Sequence, residues 1–307
     1  MSHKILITGA GGFVGRNLDE FLANKYDIIA AKRTDLDLLD ENKVESIIKK
    51  EKINFIIHCA SVGGSRKTGY DAGKFDVIGT NLRMFHNLAR CLTSDMRMIH
   101  FGSGAEYDMR NYQPKMPESF FDTHVPADDY GYSKYLISKY IEKTDNITCL
   151  RIFGLYGRHE DYKFKFISNA IVKNLLDLPI KINQNVLFDY LYIDDLLNIV
   201  EKIINKQPKA SLINLTPDES IDLYSIAEII NSTGSHKSEI ILCNEGLNRE
   251  YSGSNRLLLS EIDCYNFSSY CNGIKKLYNY YEFVIDKIDV NIIKQDPYLS
   301  MCKTLKN

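Results

Sequence analysis

The chain has 307 residues, 44% hydrophobic and 25% charged, an ordinary balance for a globular enzyme with one large domain or two intimate ones. A formal net charge of −2 argues against a polyanion-binding surface, so no nucleic-acid partner is expected. The 7 cysteines are scattered without a C-x-x-C or a paired His/Cys spacing, which points to reduced thiols rather than a metal site or a disulfide framework. No apolar run is long enough to cross a bilayer and no secretory signal precedes the first apolar run, so the expectation is a cytoplasmic protein with no membrane partner.

The first predicted strand, Lys4–Thr8, runs into Gly9, Gly12 and Gly15, and Phe13 and Val14 open a helix. A glycine trio between a strand and a helix lets the backbone approach a pyrophosphate, which the helix N-terminus then meets with free N–H groups. A second strand, Asp27–Ala31, ends at Lys32-Arg33-Thr34, with no acid until Asp35. An acid at this point selects the ribose hydroxyl of NAD, whereas a planar guanidinium suits a 2′-phosphate; Arg33 therefore favours NADP(H) over NAD(H). Next come a helix over Asn42–Lys50 and a strand over Asn54–Cys59. The loop of small residues that follows, starting Ala60-Ser61, lies at the sheet edge where open α/β sheets bind ligands. Residues 65–76 read as a polar loop near the site, and Asn81 as the start of a helix reaching Leu92.

The fourth strand, Arg97–Phe101, leads to Gly102-Ser103-Gly104, and Tyr130 follows 27 residues after Ser103. Tyr130 and Lys134 are four apart and share one helical face, where an ammonium favours the ionised phenol and makes it an acid/base. The same spacing occurs at Tyr70/Lys74 and Tyr135/Lys139, so spacing alone does not single out one pair. A fifth strand, Ile147–Phe153, leads to His159, which follows a strand in a loop and is an acid/base candidate or a plain structural histidine. Beyond residue 160 the β/α rhythm loosens: a helix over Phe164–Leu176 with Lys163 and Lys165 nearby, a helix capped by Asp194 or Asp195, a strand Leu212–Leu215, a helix capped near Asp222, and a strand Glu239–Cys243. Arg249 and Arg256, in the polar loop 244–257, either bind a diphosphate or coat the surface.

Taken together, ITGAGGFVG (7–15), the serine of Gly102-Ser103-Gly104, Tyr130-x-x-x-Lys134 and DYLYIDDL (189–196) resemble the extended short-chain dehydrogenase/reductases, in the nucleotide-sugar epimerase/dehydratase family. Arg33-Thr34-Asp35-Leu36-Asp37-Leu38-Leu39-Asp40, Ala60-Ser61-Val62-Gly63-Gly64 and Leu155-Tyr156-Gly157-Arg158-His159 are similar to segments of the GDP-L-fucose synthase group within it. The resemblance implies a Rossmann-type, doubly wound parallel sheet with a smaller C-terminal α/β substrate domain. It places the dinucleotide domain at 1–155, with 186–206 returning to it, and the nucleotide-sugar domain at 156–307. It implies Ser103, Tyr130 and Lys134 as the catalytic trio and His159 as an accessory acid. For the cofactor it implies Gly9, Gly12, Phe13, Val14, Gly15, Arg33, Leu39, Asp40, Ala60, Ser61 and Lys134. For the sugar nucleotide it implies Ser103, Gly104, Lys165, Arg249 and Arg256.

Two departures narrow the expectation. The group carries a cysteine two residues after its serine as an epimerisation base, where this chain has Ala105, and an asparagine where it has Gly154. The expected activity is therefore NADPH-dependent reduction of a C4 keto group on a nucleotide-activated, GDP-linked 4-keto-6-deoxy sugar, for surface polysaccharide. A 4-epimerase or 4,6-dehydratase with tightly held NAD and a non-catalytic dinucleotide-binding protein are the alternatives. A homodimer through helices near Asn81–Leu92 and Tyr132–Lys143 is also implied.

Overall fold

A computed structural model describes residues 3–64 and 76–304. The Tyr70/Lys74 pair and nearly all of the 65–76 loop lie outside the described residues. In chain order the elements are β1 (Lys4–Thr8), α1 (Phe13–Leu22), β2 (Asp27–Ala31), α2 (Glu41–Lys50), β3 (Phe55–His58), α3 (Val77–Ala89), β4 (Arg97–Ser103), α4 (Asp129–Ile141) and β5 (Ile147–Ile152). The later part carries β6 (Gly154–Tyr156), α5 (Phe166–Leu175), β7 (Ile180–Asn185), β8 (Leu187–Phe188), β9 (Tyr190–Tyr192), α6 (Ile193–Asn205) and β10 (Leu212–Leu215). It ends with β11 (Ile221–Asp222), α7 (Leu223–Thr233), β12 (Ile240–Leu247), α8 (Arg256–Glu261), α9 (Tyr270–Phe283), α10 (Val290–Gln295) and α11 (Pro297–Ser300).

Six parallel strands form one sheet in the order β10-β5-β4-β3-β1-β2. Strand side chains alternate between faces, and both faces are covered. Ile5 and Ile7 of β1 pack with Leu18 and Leu22 of α1, while Leu6 between them packs in the layer of Val44, Phe85 and Ile137 from α2, α3 and α4. The result is the doubly wound fold expected. The strand order reverses at β1, between β2 on one side and β3 on the other, so the ligand crevice opens at the C-terminal ends of β1 and β3. The sixth strand comes from β10, beyond the five expected from the first half of the chain. α6 returns to lie beside α1, with Lys25 Nζ on Glu201 at 2.7 Å. The smaller C-terminal part pairs β12 with β7 and packs α5, α7 and α9 together through Ile171, Ile226, Ile230, Ile274 and Leu277.

Two element starts differ from expectation for local reasons. α3 begins at Val77, where Asp76 accepts the Gly79 N–H at 2.7 Å, so Asn81 lies inside the helix and is buried. Neither Asp194 nor Asp195 caps α6. Residues 190–192 pair as a strand with β6, Tyr192 takes the cap position, and Asp195 instead accepts from Ser268 N at 3.0 Å and Tyr265 Oη at 2.9 Å.

Candidate active site

The crevice is built first by β1 and its turn. Gly9 has φ +66°, and a Cβ there would meet Ala60 N at 2.7 Å, so only glycine lets the turn after β1 lie against the loop after β3. Gly15 closes the same turn, since its Cβ would lie 2.5 Å from the Gly9 carbonyl oxygen. Gly12 caps α1, and Phe13 and Val14 are its first two residues. This leaves a helix N-terminus and a bare backbone turn at the switch point, a cradle that fits a dinucleotide pyrophosphate. At the end of β2, Lys32 and Arg33 are exposed, while the Asp35 carboxylate is engaged by the Lys32 N–H at 3.0 Å and by Thr34 Oγ1 at 3.1 Å. Asp40 caps α2 by accepting the Lys43 N–H at 3.1 Å, and Leu39 beside it is exposed. Ser61 Oγ lies 3.5 Å from Asn81 Oδ1.

The chemical side of the crevice is formed where β4 ends against the start of α4. Ser103 is the last residue of β4 and is buried; its Oγ accepts the Ala105 N–H at 3.2 Å. Asp128 caps α4 by accepting the Gly131 N–H at 2.8 Å, which places Tyr130 in the first turn. Gly131 sits so near the Ala105 carbonyl that a Cβ would come within 2.6 Å of it, so Tyr130 is delivered directly beside the Ser103 turn. The Tyr130 ring lies against Gly64 (φ +68°), where a Cβ would meet Tyr130 Cζ at 2.5 Å.

Lys134, one turn on, is buried, with Nζ 5.9 Å from the Tyr130 ring centroid. Its ammonium donates to the Phe101 carbonyl at 2.8 Å and lies 3.5 Å from His100 Nε2. Burial holds it down to about 8, and His100, pushed far below its usual range by burial and by Lys134, faces it as a neutral ring.

Sequence reasoning missed three residues that hold this geometry. Asn81 accepts the Val62 N–H at 2.9 Å, donates to Val62 O at 3.0 Å and reaches Ser133 Oγ at 3.1 Å, tying the loop after β3 to α4. Glu106, fully buried, accepts the Ser103 N–H at 2.8 Å, Ser138 Oγ at 2.7 Å and Arg151 Nε at 2.6 Å. One carboxylate thus joins the serine turn, the lysine helix and β5, and it is not turned toward the crevice as a free acid. Tyr251 stands opposite: its hydroxyl lies 2.7 Å from where a Cβ on Gly104 would be, and burial pushes its phenol far up. Its signal was present, since Tyr251 is the one aromatic residue in the polar loop 244–257.

Other candidates lie elsewhere. His159, at φ +68°, has Nε2 3.1 Å from Glu20 Oε2 and Nδ1 3.2 Å from the Tyr280 hydroxyl. Arg158 fixes this turn on α1 through Asn17 at 2.8 Å. Both ring nitrogens are engaged, so His159 brackets α1 to α9. Gly104 is crowded by Tyr112, Phe153 and Tyr251, with ring atoms 2.6–2.7 Å from where a Cβ would be. Arg249 donates to the Met109 and Arg110 carbonyls at 3.2 and 2.8 Å, Arg256 opens α8 in an exposed position, and Lys165 is an exposed residue before α5. Among the described residues, no contact brings these three cations together.

The profile of the NAD dependent epimerase/dehydratase family matches residues 5–215. GDP-L-colitose synthase of Yersinia pseudotuberculosis is 26% identical over 310 residues, covering 91% of this chain and 97% of that protein. GDP-6-deoxy-D-talose 4-dehydrogenase of Aggregatibacter actinomycetemcomitans is 26% identical over 251 residues, covering 77% of this chain and 82% of that protein. Among solved structures, a GDP-mannoheptose C4 reductase from Campylobacter jejuni with NADP bound superposes with a TM-score of 0.78 at 19% identity, covering 92% of this chain and 98% of that one.

Proposed function

The chain belongs to the NAD dependent epimerase/dehydratase family, and on that premise we propose that it is an NADPH-dependent 4-ketoreductase of a GDP-linked 4-keto-6-deoxy sugar. The observation that carries this reading is the meeting of Ser103, Tyr130 and Lys134 at the C-terminal end of β4, beside a crevice whose cofactor edge shows Arg33 and no free acid. Gly9, Gly12 and the first turn of α1 would hold the pyrophosphate, and Arg33 a 2′-phosphate. When bound, the dinucleotide supplies the hydride.

In this reading Tyr130 gives its proton to the oxygen at C4 and Ser103 orients that oxygen. The Lys134 charge stabilises the phenolate that remains. Glu106 is held by Ser103, Ser138 and Arg151, an arrangement that does not favour a dehydratase step. Residues 1–155, with 186–206 and β10, would hold the dinucleotide, and the rest of 156–307 the sugar nucleotide. The α3 and α4 faces, where Tyr140 stands 40% exposed beside His86, would form a homodimer.

The test is product analysis by NMR after incubation with NADPH and a GDP-4-keto-6-deoxy sugar in deuterated water. A reduced C4 without deuterium at C3 or C5 is the expected result. Absence of NADPH oxidation with every nucleotide 4-keto sugar tried, or retained NAD with turnover of an unmodified nucleotide sugar, would refute it in favour of an epimerase or dehydratase.

A further inference from the structure

The sheet face under α2, α3 and α4 changes character at its C-terminal edge. Leu6, Ile56, Met98 and Ile147 are register partners across β1, β3, β4 and β5, and all are apolar. Two residues further along each strand, the same row reads Thr8, His58, His100 and Cys149, all of them buried. Thr8 Oγ1 lies 2.8 Å from His58 Nδ1, and the His58 and His100 rings are 5.3 Å apart. Lys134 reaches this row from α4: its Nζ donates to the Phe101 carbonyl at 2.8 Å and lies 3.5 Å from His100 Nε2. His100 is 1% exposed, and its ring meets Phe85 edge-on at 5.3 Å. Its Nδ1 has no hydrogen-bond partner among the described residues.

A buried histidine with an unbonded nitrogen is costly, and a phenylalanine would fill the same space between Phe85 and His58 without that cost. What histidine adds here is Nε2. An ammonium can only donate, so its contact with Nε2 assigns the lone pair to that nitrogen and the hydrogen to Nδ1. The geometry points to His100 as a positioning residue that, together with the Phe101 carbonyl, anchors two of the three Lys134 hydrogens and leaves the third for the crevice. The inference rests on the role given to Lys134 under Proposed function and extends it. Both acceptors favour the charged amine, against the burial that holds it down to about 8. The other ionisable groups acting on Lys134 are Cys59, Cys149 and Glu106, with the Tyr130 ring on its own helix and His58 behind His100. Burial pushes both thiols up and both imidazoles down, so these stay neutral while the amine titrates.

Two NMR measurements on the full chain test this without substrate. Long-range proton–nitrogen correlation of the histidine rings should show His100 as the Nδ1–H tautomer, its signals assigned by their loss in His100→Gln. The Nε2–H tautomer overturns the inference, because that nitrogen could not accept. This is read on the wild-type protein and decides the matter even if a His100 variant fails to fold. Carbon NMR of lysines labelled at Cε then follows Lys134, assigned by its absence in Lys134→Met. Its titration midpoint should fall by about one pH unit in His100→Phe and by less than about 0.3 in His100→Gln, whose Oε1 accepts in place of Nε2. A midpoint unmoved in His100→Phe, or moved equally in His100→Gln, overturns the inference. In turnover, the alkaline limb of kcat should move acidward with the midpoint in His100→Phe, with KM for the sugar nucleotide changed less than about twofold. A limb that stays put while the midpoint moves refutes the role given to Lys134 and leaves its anchoring by His100 standing. A wild-type protein that turns over no nucleotide sugar, yet shows the tautomer and the shifted midpoint, refutes the proposed function and supports the anchor.

Discussion

Asp189 offers a test in which the pH dependence of stability is set by one carboxyl. It is fully buried. Its Oδ2 accepts Gly253 N at 2.6 Å and the Thr216 hydroxyl, while Oδ1 has no hydrogen-bond partner among the described residues. Burial pushes this carboxyl from 3.8 up to about 7. The sign follows from proton binding. Between these values the folded state holds a proton that the unfolded chain has released, so stability is complete below about pH 4, falls as pH rises, and levels off above about pH 7. The slope is about 1.4 kcal/mol per pH unit where the difference is complete, or about 4 kcal/mol across the whole span.

Asp189→Asn is neutral at every pH. Its carbonyl oxygen can accept from Gly253 and Thr216, but its NH₂ takes the place of Oδ1 and finds no acceptor, a cost of about 1–3 kcal/mol. The variant should therefore be the less stable protein at pH 5 and should gain about 2.5 kcal/mol on the wild type by pH 8. Urea unfolding of both proteins at pH 5, 6, 7 and 8 measures this. Other titrating groups, including the buried His58 and His100, cancel in the difference. A difference constant to within about 0.5 kcal/mol across that range refutes the reasoning, because it would mean that the carboxyl ionises as it does in the unfolded chain.

Four further outcomes follow from the site. Gly64→Ala should lower kcat at least tenfold and cost about 1–2 kcal/mol in unfolding, because its Cβ would sit at a left-handed φ and displace the Tyr130 ring, and unchanged turnover would remove that contact from the argument. Arg151→Met leaves Glu106 buried without its cation and should cost about 3–5 kcal/mol in urea unfolding, whereas a loss under about 1 kcal/mol would mean that the pair is not dry. kcat should fall on the alkaline side with an apparent pKa near 8, as Lys134 loses its charge, and a profile flat from pH 7 to 10 contradicts this. Arg33→Ser should raise KM for NADPH about tenfold and leave KM for NADH within about twofold, and equal effects on both would place Arg33 away from a 2′-phosphate.

Much of the molecule was legible before folding was considered, because its signals are local. The run from Lys4 to Gly15 specifies a strand, a turn and a helix start within a dozen residues. β2 lies where its apolar residues place it, and Tyr130 and Lys134 share a helix face through a four-residue spacing that needs no tertiary information. Boundaries slipped where a side chain outside the periodic pattern took the cap, as Asp76 does ahead of Asn81. Contacts between distant segments were not legible. His159 looked like an acid because it follows a strand, but its surroundings depend on Glu20 and Tyr280, 139 and 121 residues away. Nothing in its own segment assigns Tyr251 a place, and only the clamp of that segment between residues 115–116 and 187–189 sets it beside Gly104. The sequence by itself determined the first five strands of the sheet and the glycine cradle, since each arises from neighbours along one segment, while only the resemblance marked out Tyr130 and Lys134 among three equally spaced pairs. The tertiary structure decided which groups surround that pair, because a hydrogen bond between remote segments depends on how whole elements pack, and no spacing in one segment records that.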